Sequence, residues 1–399
     1  MLHFRVFLFL LILLSANNFY NPFGLVSSKL SKLLFYGLTI FALFYGSKAK
    51  KSTPIGFPKK TYRMILFGIL FSAVMAGTYQ AQGFGISVMA VFPYFFAYLT
   101  FYVLVKMQLS QKEILQVFGI VLLITTFVYV VNYITFPHMI FGGIDATDSN
   151  TDYESRGVIR VRLPYMELYL LGVFYSINQW FLNNKKKWLL GGCFCFLMVV
   201  LSVTRQYILW SLILGGWLLI NKVSLFKKGL FVAVAFIVYL FVLPHLSIYQ
   251  GLSSTTEEQI SAGQNEDDIR IREYYFYGDD FQTNAMTRVF GNGVPSMGNS
   301  KWGNDFEYIL EYTHLYASDV GWVGLYWYFG IFTVLGVAFL LIRGVFLYKE
   351  KENTYQTYIC LALILLSFTS GPILISRQIA SVMTILYLVY STYDKRLKK

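Results

Sequence analysis

The stretch 311–330, EYTHLYASDVGWVGLYWYFG, decides the organisation of the chain, because a polar passage gives way there to an apolar run. The residues from Tyr249 to this point form the only long hydrophilic passage in the sequence. Elsewhere, apolar runs of about 17 to 25 residues alternate with short polar turns, and a run of that length crosses a bilayer as a helix. We therefore predict an all-α polytopic membrane protein with one large loop.

The amino-acid composition favours the same fold class. Of the 399 residues, 56% are hydrophobic, 19% are aromatic and only 14% are charged. A soluble fold could not bury so many apolar faces. All three cysteines lie within apolar runs, so neither a disulfide framework nor a cysteine-based metal site is expected.

The apolar runs predict about twelve transmembrane helices in a single integral membrane domain, 1–399. The first run has no convincing cleavage site after it, which favours an anchor over a signal peptide. The predicted spans lie near 4–19, 31–47, 62–80, 84–105, 114–136, 163–182, 188–204, 205–220, 229–247, 318–342, 355–373 and 374–392.

The charge distribution predicts the orientation of these helices. The chain has a formal net charge of +12, and most Lys and Arg residues fall in the segments that share a side with both termini. Positively charged loops face the cytoplasm, so both termini are predicted to be cytoplasmic. Segments 137–163 and 249–317 are then extracytoplasmic loops. Because this rule accounts for the basic residues, nucleic-acid binding is not indicated.

Several arginines stand on the predicted exterior side, where the rule disfavours them, and two of these come directly before a predicted span. Arg160 and Arg162 alternate with Val and Ile before span 163–182, so an extended backbone would point both guanidinium groups the same way. A guanidinium group is a permanently charged planar fork that suits phosphate. The alternative is that these arginines pair with nearby acids of the loop or anchor at lipid headgroups.

Two further arginines lie beside predicted spans. Arg205 follows Thr204 where two spans are joined with almost no loop, and a charge at membrane depth usually faces a partner or a water-filled cavity. Arg377 repeats this pattern after the break at Gly371-Pro372. Snorkelling of either side chain to the headgroups is the alternative.

The large loop contains several local patterns. The pattern of segment 266–277 predicts a short helix with an aromatic face, which could stack on sugars or rest on the membrane. Gly291-Asn-Gly293-Val-Pro predicts a tight turn and lacks the features of a nucleotide-binding loop. His314 can exchange protons near neutral pH, whereas Asp319 is suited to proton transfer or to capping the helix that follows.

These motifs, in this order, resemble the oligosaccharide repeat-unit polymerases of the Wzy-like O-antigen polymerase and ligase superfamily. The resemblance covers roughly residues 150–330 and is one of layout and short motifs. The similar motifs are Arg160–Pro164, Thr204-Arg205, Phe290–Gly293, His314–Tyr316 and Asp319–Gly324.

The resemblance implies a GT-C-like inverting glycosyltransferase that joins undecaprenyl-diphosphate-linked oligosaccharides on the outer face of the bacterial inner membrane. The product would be an O-antigen or capsule. No cluster of potential metal ligands with plausible spacing occurs in the predicted exterior segments, so we predict a metal-independent reaction, and no cofactor is expected. The resemblance implies that Arg160, Arg162 and Arg205 hold the diphosphate, with Arg377 as a further candidate.

The general base is expected to be His314, with Asp319 or Glu167 as substitutes. Thr204 and Leu315 depart from the resemblance, because the family usually has Ser and Asn at these two places.

Two other functions stay open. A ligase of the same superfamily would transfer finished glycan to lipid A core or protein, and nothing in the sequence separates it from a polymerase. A transporter of lipid-linked oligosaccharides would place its charges along a central cavity with cytoplasmic access. Besides its lipid-linked substrates and membrane lipid, a chain-length regulator is a candidate partner.

Overall fold

The computed structural model describes residues 4–46, 57–136, 138–142, 163–221, 269–282, 284–347 and 353–397. Within these ranges the regular structure is helical, and the one pairing of another kind is an isolated bridge between Pro22 and Phe141. The all-α prediction is therefore confirmed for the described part of the chain.

The helices follow the predicted apolar runs. Each predicted span within the described ranges corresponds to a helix, whereas span 229–247 lies outside them. The helices are α1 (Phe4–Ala16), α2 (Ser28–Gly46), α3 (Lys59–Tyr79), α4 (Phe84–Met107), α5 (Gln111–Ile134), α6 (Met166–Asn183), α7 (Lys186–Leu201), α8 (Arg205–Ile220), α9 (Ile269–Tyr275), α10 (Ala285–Phe290), α11 (Lys301–Thr313), α12 (Gly321–Phe346), α13 (Thr354–Leu366) and α14 (Ser376–Leu397).

Four of these helices, α3, α4, α5 and α12, are long and apolar enough to cross a membrane. Helices α1, α8 and α13 are apolar but shorter. The long apolar helices support a helical membrane protein. Twelve spans, the GT-C-like arrangement and the orientation of the termini stay predictions.

Helices α3 and α12 pack closely because glycines lie at their contact. A Cβ atom on Gly68 would stand 2.3 Å from Thr333 Oγ1, and one on Gly336 would stand 2.5 Å from Ile65 Cγ1. Such spacing admits no side chain, as is common where membrane helices approach each other. The two helices therefore form a tight pair on which the loop segments rest.

The predicted turn at Gly291 and Gly293 docks on α12 at a break in that helix. Gly330 interrupts α12 with a φ of 76°, so the helical hydrogen-bond ladder stops there. The carbonyls of Trp327 and Tyr328 instead accept hydrogen bonds from the backbone N–H groups of Asn292 (2.8 Å) and Gly293 (3.0 Å). The turn thus replaces bonds that the broken helix cannot make.

Two boundaries differ from those predicted. Helix α13 ends at Leu366 instead of residue 373, because Gly371-Pro372 turns the chain before α14 begins at Ser376. In the loop, α9 continues as a wider π-helical turn over Phe276–Asp280 and so extends past the predicted end at Tyr277.

Candidate functional site

A groove of about 800 Å³ lies where the first turns of α2, α4 and α14 meet the loop that follows Gly293. We call this end of the helix bundle, which carries α9, α10 and α11, the loop end. Lys29 and Lys32 of α2 and Arg377 of α14 line the groove, and none of the described residues that line it is acidic. The groove therefore presents a positively charged lining to a negatively charged ligand.

The N-terminus of α14 adds to this positive field. Ser376 and Arg377, the first two residues of the helix, both line the groove. The partial positive charge at a helix N-terminus favours anions, and the guanidinium group adds a planar fork suited to phosphate oxygens. The groove thus combines side-chain charge with the helix dipole.

The walls of the groove are largely apolar. Leu33 of α2 and Ile86, Met89 and Pro93 of α4 lie along it. Leu33 and Met89 are also highly exposed, at 63% and 59%. The groove is therefore amphipathic, with cations at the loop end and apolar side chains that continue onto the exposed surface of the helices.

The remaining wall is a loop segment held by Gln82. The Gln82 side-chain oxygen accepts hydrogen bonds from the Ser296 N–H (2.7 Å) and from Ser300 Oγ (3.1 Å), while its Nε2 donates to Val294 O (2.9 Å). Gly293 has a φ of 79°, and a Cβ there would stand 2.6 Å from that of Ala76. The glycine turn and Gln82 together fix the loop as one side of the groove.

Helix α14 links Arg377 to Glu167. Ser381 lies one turn after Arg377 on the same helix face, and its Oγ donates a hydrogen bond to Glu167 Oε1. Glu167 begins α6 and is completely buried. The structure therefore joins two predicted site residues through one turn of α14. Because Glu167 is buried and holds Ser381, it acts in this conformation as a positioning group for α14. Its role as a base stays a prediction.

The surroundings of Glu167 hold further buried oxygens. In the described part of the chain, Glu167 Oε2, the Tyr207 hydroxyl and Gln378 Oε1 have no hydrogen-bond partner. Tyr207 lies close enough to Glu167 to interact with it electrostatically. Buried oxygens of this kind are typical positions for ordered water. Helix α8, which begins at Arg205, packs against α6.

His314 and Asp319 lie on the surface of the loop segment instead of in the groove. His314 ends α11 in a left-handed conformation (φ 56°) and is exposed. Asp319 is exposed in a 3-10 turn, and its Oδ1 accepts from Ser318 Oγ (3.3 Å). Because α12 begins at Gly321 with Val320 at the cap position, Asp319 precedes the cap.

The segment between His314 and Asp319 is anchored on α9 and the turn after it. Glu273 Oε1 accepts from the Tyr316 N–H (2.8 Å), and the Tyr277 hydroxyl donates to Leu315 O (2.7 Å). Burial raises the pKa of Tyr277 well above its usual value, and the neighbouring Glu273 adds to the rise. The phenol therefore stays a donor throughout the physiological pH range.

The remaining predicted arginines are placed in part. Arg160 and Arg162 lie outside the described residues. Arg205 is half-buried at the first position of α8, and only Ser202 to Thr204 separate it from α7, which confirms the short connection. Arg205 is not among the residues that line the groove.

No family model matches the sequence, and no curated protein matches it. In the ranges that the structure describes, no three His, Cys, Asp or Glu side chains lie close enough to hold a metal ion.

The sequence analysis missed Lys29 and Lys32. A signal for them exists, because the predicted orientation places both lysines on the exterior side, where the charge rule disfavours basic residues. The same signal identified the arginines. Gln82 gave no signal, since a glutamine in a short turn between two apolar runs is not distinctive.

Proposed function

We propose that the protein polymerises undecaprenyl-diphosphate-linked oligosaccharide repeat units into a surface polysaccharide, with its loop end on the outer face of the inner membrane. The supporting observation is the amphipathic groove of Lys29, Lys32 and Arg377. A diphosphate would lie against the cations, and its prenyl chain would follow the apolar walls toward lipid. Few ligands other than a lipid with an anionic headgroup suit this combination.

The reaction joins two such lipids. A sugar hydroxyl of one unit attacks the anomeric carbon of the other, whose bond to the diphosphate oxygen breaks with inversion. The diphosphate leaves with its bonding electron pair, so negative charge grows where the cations of the groove would stabilise it. Arg160, Arg162 and Arg205 are proposed to share this task.

The attacking hydroxyl must lose its proton to a base. His314 and Asp319 are proposed for this step because both side chains are exposed on the loop and a glycan can reach them. Glu167 would require its pocket to open first. After the reaction, the base carries the proton and the new glycosidic bond joins the transferred glycan to the acceptor sugar. The released diphosphate stays attached to its lipid.

The test uses the full-length protein in lipid nanodiscs with the lipid-diphosphate-linked repeat unit from the producing cells. The expected product is a ladder of lengths, reduced to the single repeat by Arg377→Ala or Lys32→Ala. Lys112→Ala is the matched control, because this exposed lysine begins α5 and does not line the groove.

Other products would contradict the proposal. Transfer of glycan only to added lipid A core, without a ladder, would indicate a ligase. Movement of the intact lipid across the bilayer without any new glycosidic bond would indicate a transporter. Ladders of normal length from both groove variants would contradict the role of the groove.

A further inference from the structure

The loop helix α11 carries an exposed face that the reaction above does not use. Its buried side is anchored by Phe306, whose ring stacks on that of Trp327 at 5.0 Å between centroids. The opposite side presents two tyrosines one turn apart, Tyr308 and Tyr312, which are 71% and 80% exposed. Tyrosines usually bury most of their ring, so two such exposed rings on one face need a reason.

The exposed polar residues around these rings are acidic or neutral, apart from Lys301 at the first position of the helix. Asp305 and Glu311 are exposed and lie within one turn of Tyr308 on the same face, and Asn304 is exposed beside them. The face therefore alternates flat aromatic surfaces with carboxylate and amide groups. Carboxylates accept hydrogen bonds from hydroxyl groups, and an amide both donates and accepts.

This face begins at the rim of the groove. Asn299 lines the groove, and Ser300 next to it caps α11 through a hydrogen bond to the Gly303 N–H (2.9 Å). The Asn304 side chain accepts from the Gly298 N–H (2.8 Å), which fixes the helix to the same wall. From that rim, the 13 residues of α11 extend for about 20 Å at the usual helical rise.

We propose that this face of α11, which we call the tyrosine face, binds the glycan chain that extends from a diphosphate in the groove. The proposal rests on the proposed function for the position of the diphosphate. Pyranose rings present C–H groups on one face, which stack on tyrosine rings, and hydroxyl groups at their edge, which pair with the carboxylates. The acidic charge selects a neutral or amino-sugar chain and disfavours an acidic glycan.

A membrane surface is the other environment that accepts exposed tyrosines, and the charge argues against it. Anionic lipid headgroups attract basic segments, whereas Asp305 and Glu311 would be repelled by them. The tyrosine face therefore fits a carbohydrate better than a lipid surface.

The test measures binding of lipid-free oligosaccharides, released by mild acid from the producing cells and separated by the number of repeat units. Affinity for the detergent-purified full-length protein is expected to rise with length. The Tyr308→Ala/Tyr312→Ala double variant should lower it by about tenfold. Tyr275→Ala is the matched control, because Tyr275 is 67% exposed on α9 and outside the tyrosine face. Tyr308→Trp should retain affinity.

Several outcomes would overturn the inference. These are no binding by the wild-type protein, equal affinity in the double variant, an equal loss in Tyr275→Ala, or tighter binding of oligogalacturonate than of the native chain. Quenching of the added Tyr312→Trp fluorescence by brominated lipids would place the face on the membrane. The binding measurement is independent of catalysis. If the wild-type protein forms no ladder but the double variant still loses glycan affinity, only the proposed function is contradicted.

Discussion

Ser381 Oγ donates a hydrogen bond to Glu167 Oε1 and so joins the second turn of α14 to the first turn of α6. Both residues are completely buried, while Arg377 lies one turn earlier on α14 and lines the groove. The contact therefore positions an arginine of the candidate site by means of a carboxylate that does not line the groove.

Removal of this contact should destabilise the protein. Ser381→Ala takes away the donor and leaves a buried carboxylate oxygen unpaired, at a cost of about 1–3 kcal/mol in the free energy of unfolding. Glu167→Gln retains an acceptor oxygen and should cost less. Thermal unfolding in detergent measures both. Ser391→Ala is the control on the same helix, because its Oγ bonds only to Leu388 O of that helix. Equal losses from Ser381→Ala and Ser391→Ala would contradict the prediction.

Arg377 and Lys32 should both contribute to binding of a lipid diphosphate, but only the arginine offers a planar fork. Arg377→Ala and Lys32→Ala each remove a charge-assisted hydrogen bond, worth about 1.5–3 kcal/mol, so affinity should fall by roughly 10- to 100-fold. Arg377→Lys keeps the charge without the planar fork and should fall between wild type and Arg377→Ala. Equilibrium binding of undecaprenyl diphosphate measures this.

The same measurement at rising salt concentration separates charge from apolar contact. Affinity of the wild-type protein should decrease with salt, and Arg377→Ala should show a weaker decrease. A salt response unchanged by Arg377→Ala would mean that the ligand does not contact this side chain.

The helices and the glycine turn were predictable because their causes are local. An apolar run long enough to cross a bilayer is visible in the sequence, and a Gly-Asn-Gly pair allows the positive φ found at Gly291 and Gly293. The break in α12 was not predicted, because the sequence does not distinguish Gly330 from other small residues in apolar runs. Its reason is the hydrogen bonding of Trp327 and Tyr328 to a distant loop.

The composition of the site depended on contacts that no local pattern shows. Glu167 was predicted as a possible base, but its partner Ser381 is 214 residues away in the chain, and that packing buries it. Lys29 and Lys32 join Arg377 in one groove only because α2 and α14 both pack against α4. Arg377 could be predicted from residue type and from its position beside a predicted span, and the structure places it in the groove.

The close packing of α3 and α12 makes a specific prediction for Gly68. An added Cβ would meet Thr333 Oγ1 at 2.3 Å, and this hydroxyl is itself buried and bonded to Phe329 O at 2.9 Å. Gly68→Ala should therefore reduce stability by about 1–3 kcal/mol. Gly119→Ala on α5 is the control, because nothing lies within 4 Å of its Cβ position, and it should stabilise by about 0.5–1 kcal/mol. A Gly68→Ala protein as stable as Gly119→Ala would contradict the close contact.

Substitution of three glycines in the loop can distinguish the cost of backbone strain from the cost of a steric clash. Gly291, Gly293 and Gly298 all have positive φ angles, of 85°, 79° and 73°. A Cβ on Gly291 would lie 2.3 Å from Tyr328 O and one on Gly293 2.7 Å from Ser72 O, whereas Gly298 has nothing within 4 Å. Gly298→Ala should therefore cost only the strain of the left-handed conformation, about 1–2 kcal/mol.

Gly291→Ala should cost more than Gly298→Ala, because the atoms it meets are backbone and cannot move without displacing the loop from α12. The loop is a wall of the groove, so Gly291→Ala and Gly293→Ala should also weaken binding of undecaprenyl diphosphate, while Gly298→Ala leaves it near the wild-type value. Unfolding temperature and ligand affinity, measured on the same preparations, distinguish the two effects. If all three variants lose stability equally and retain affinity, the docking of this turn does not shape the groove.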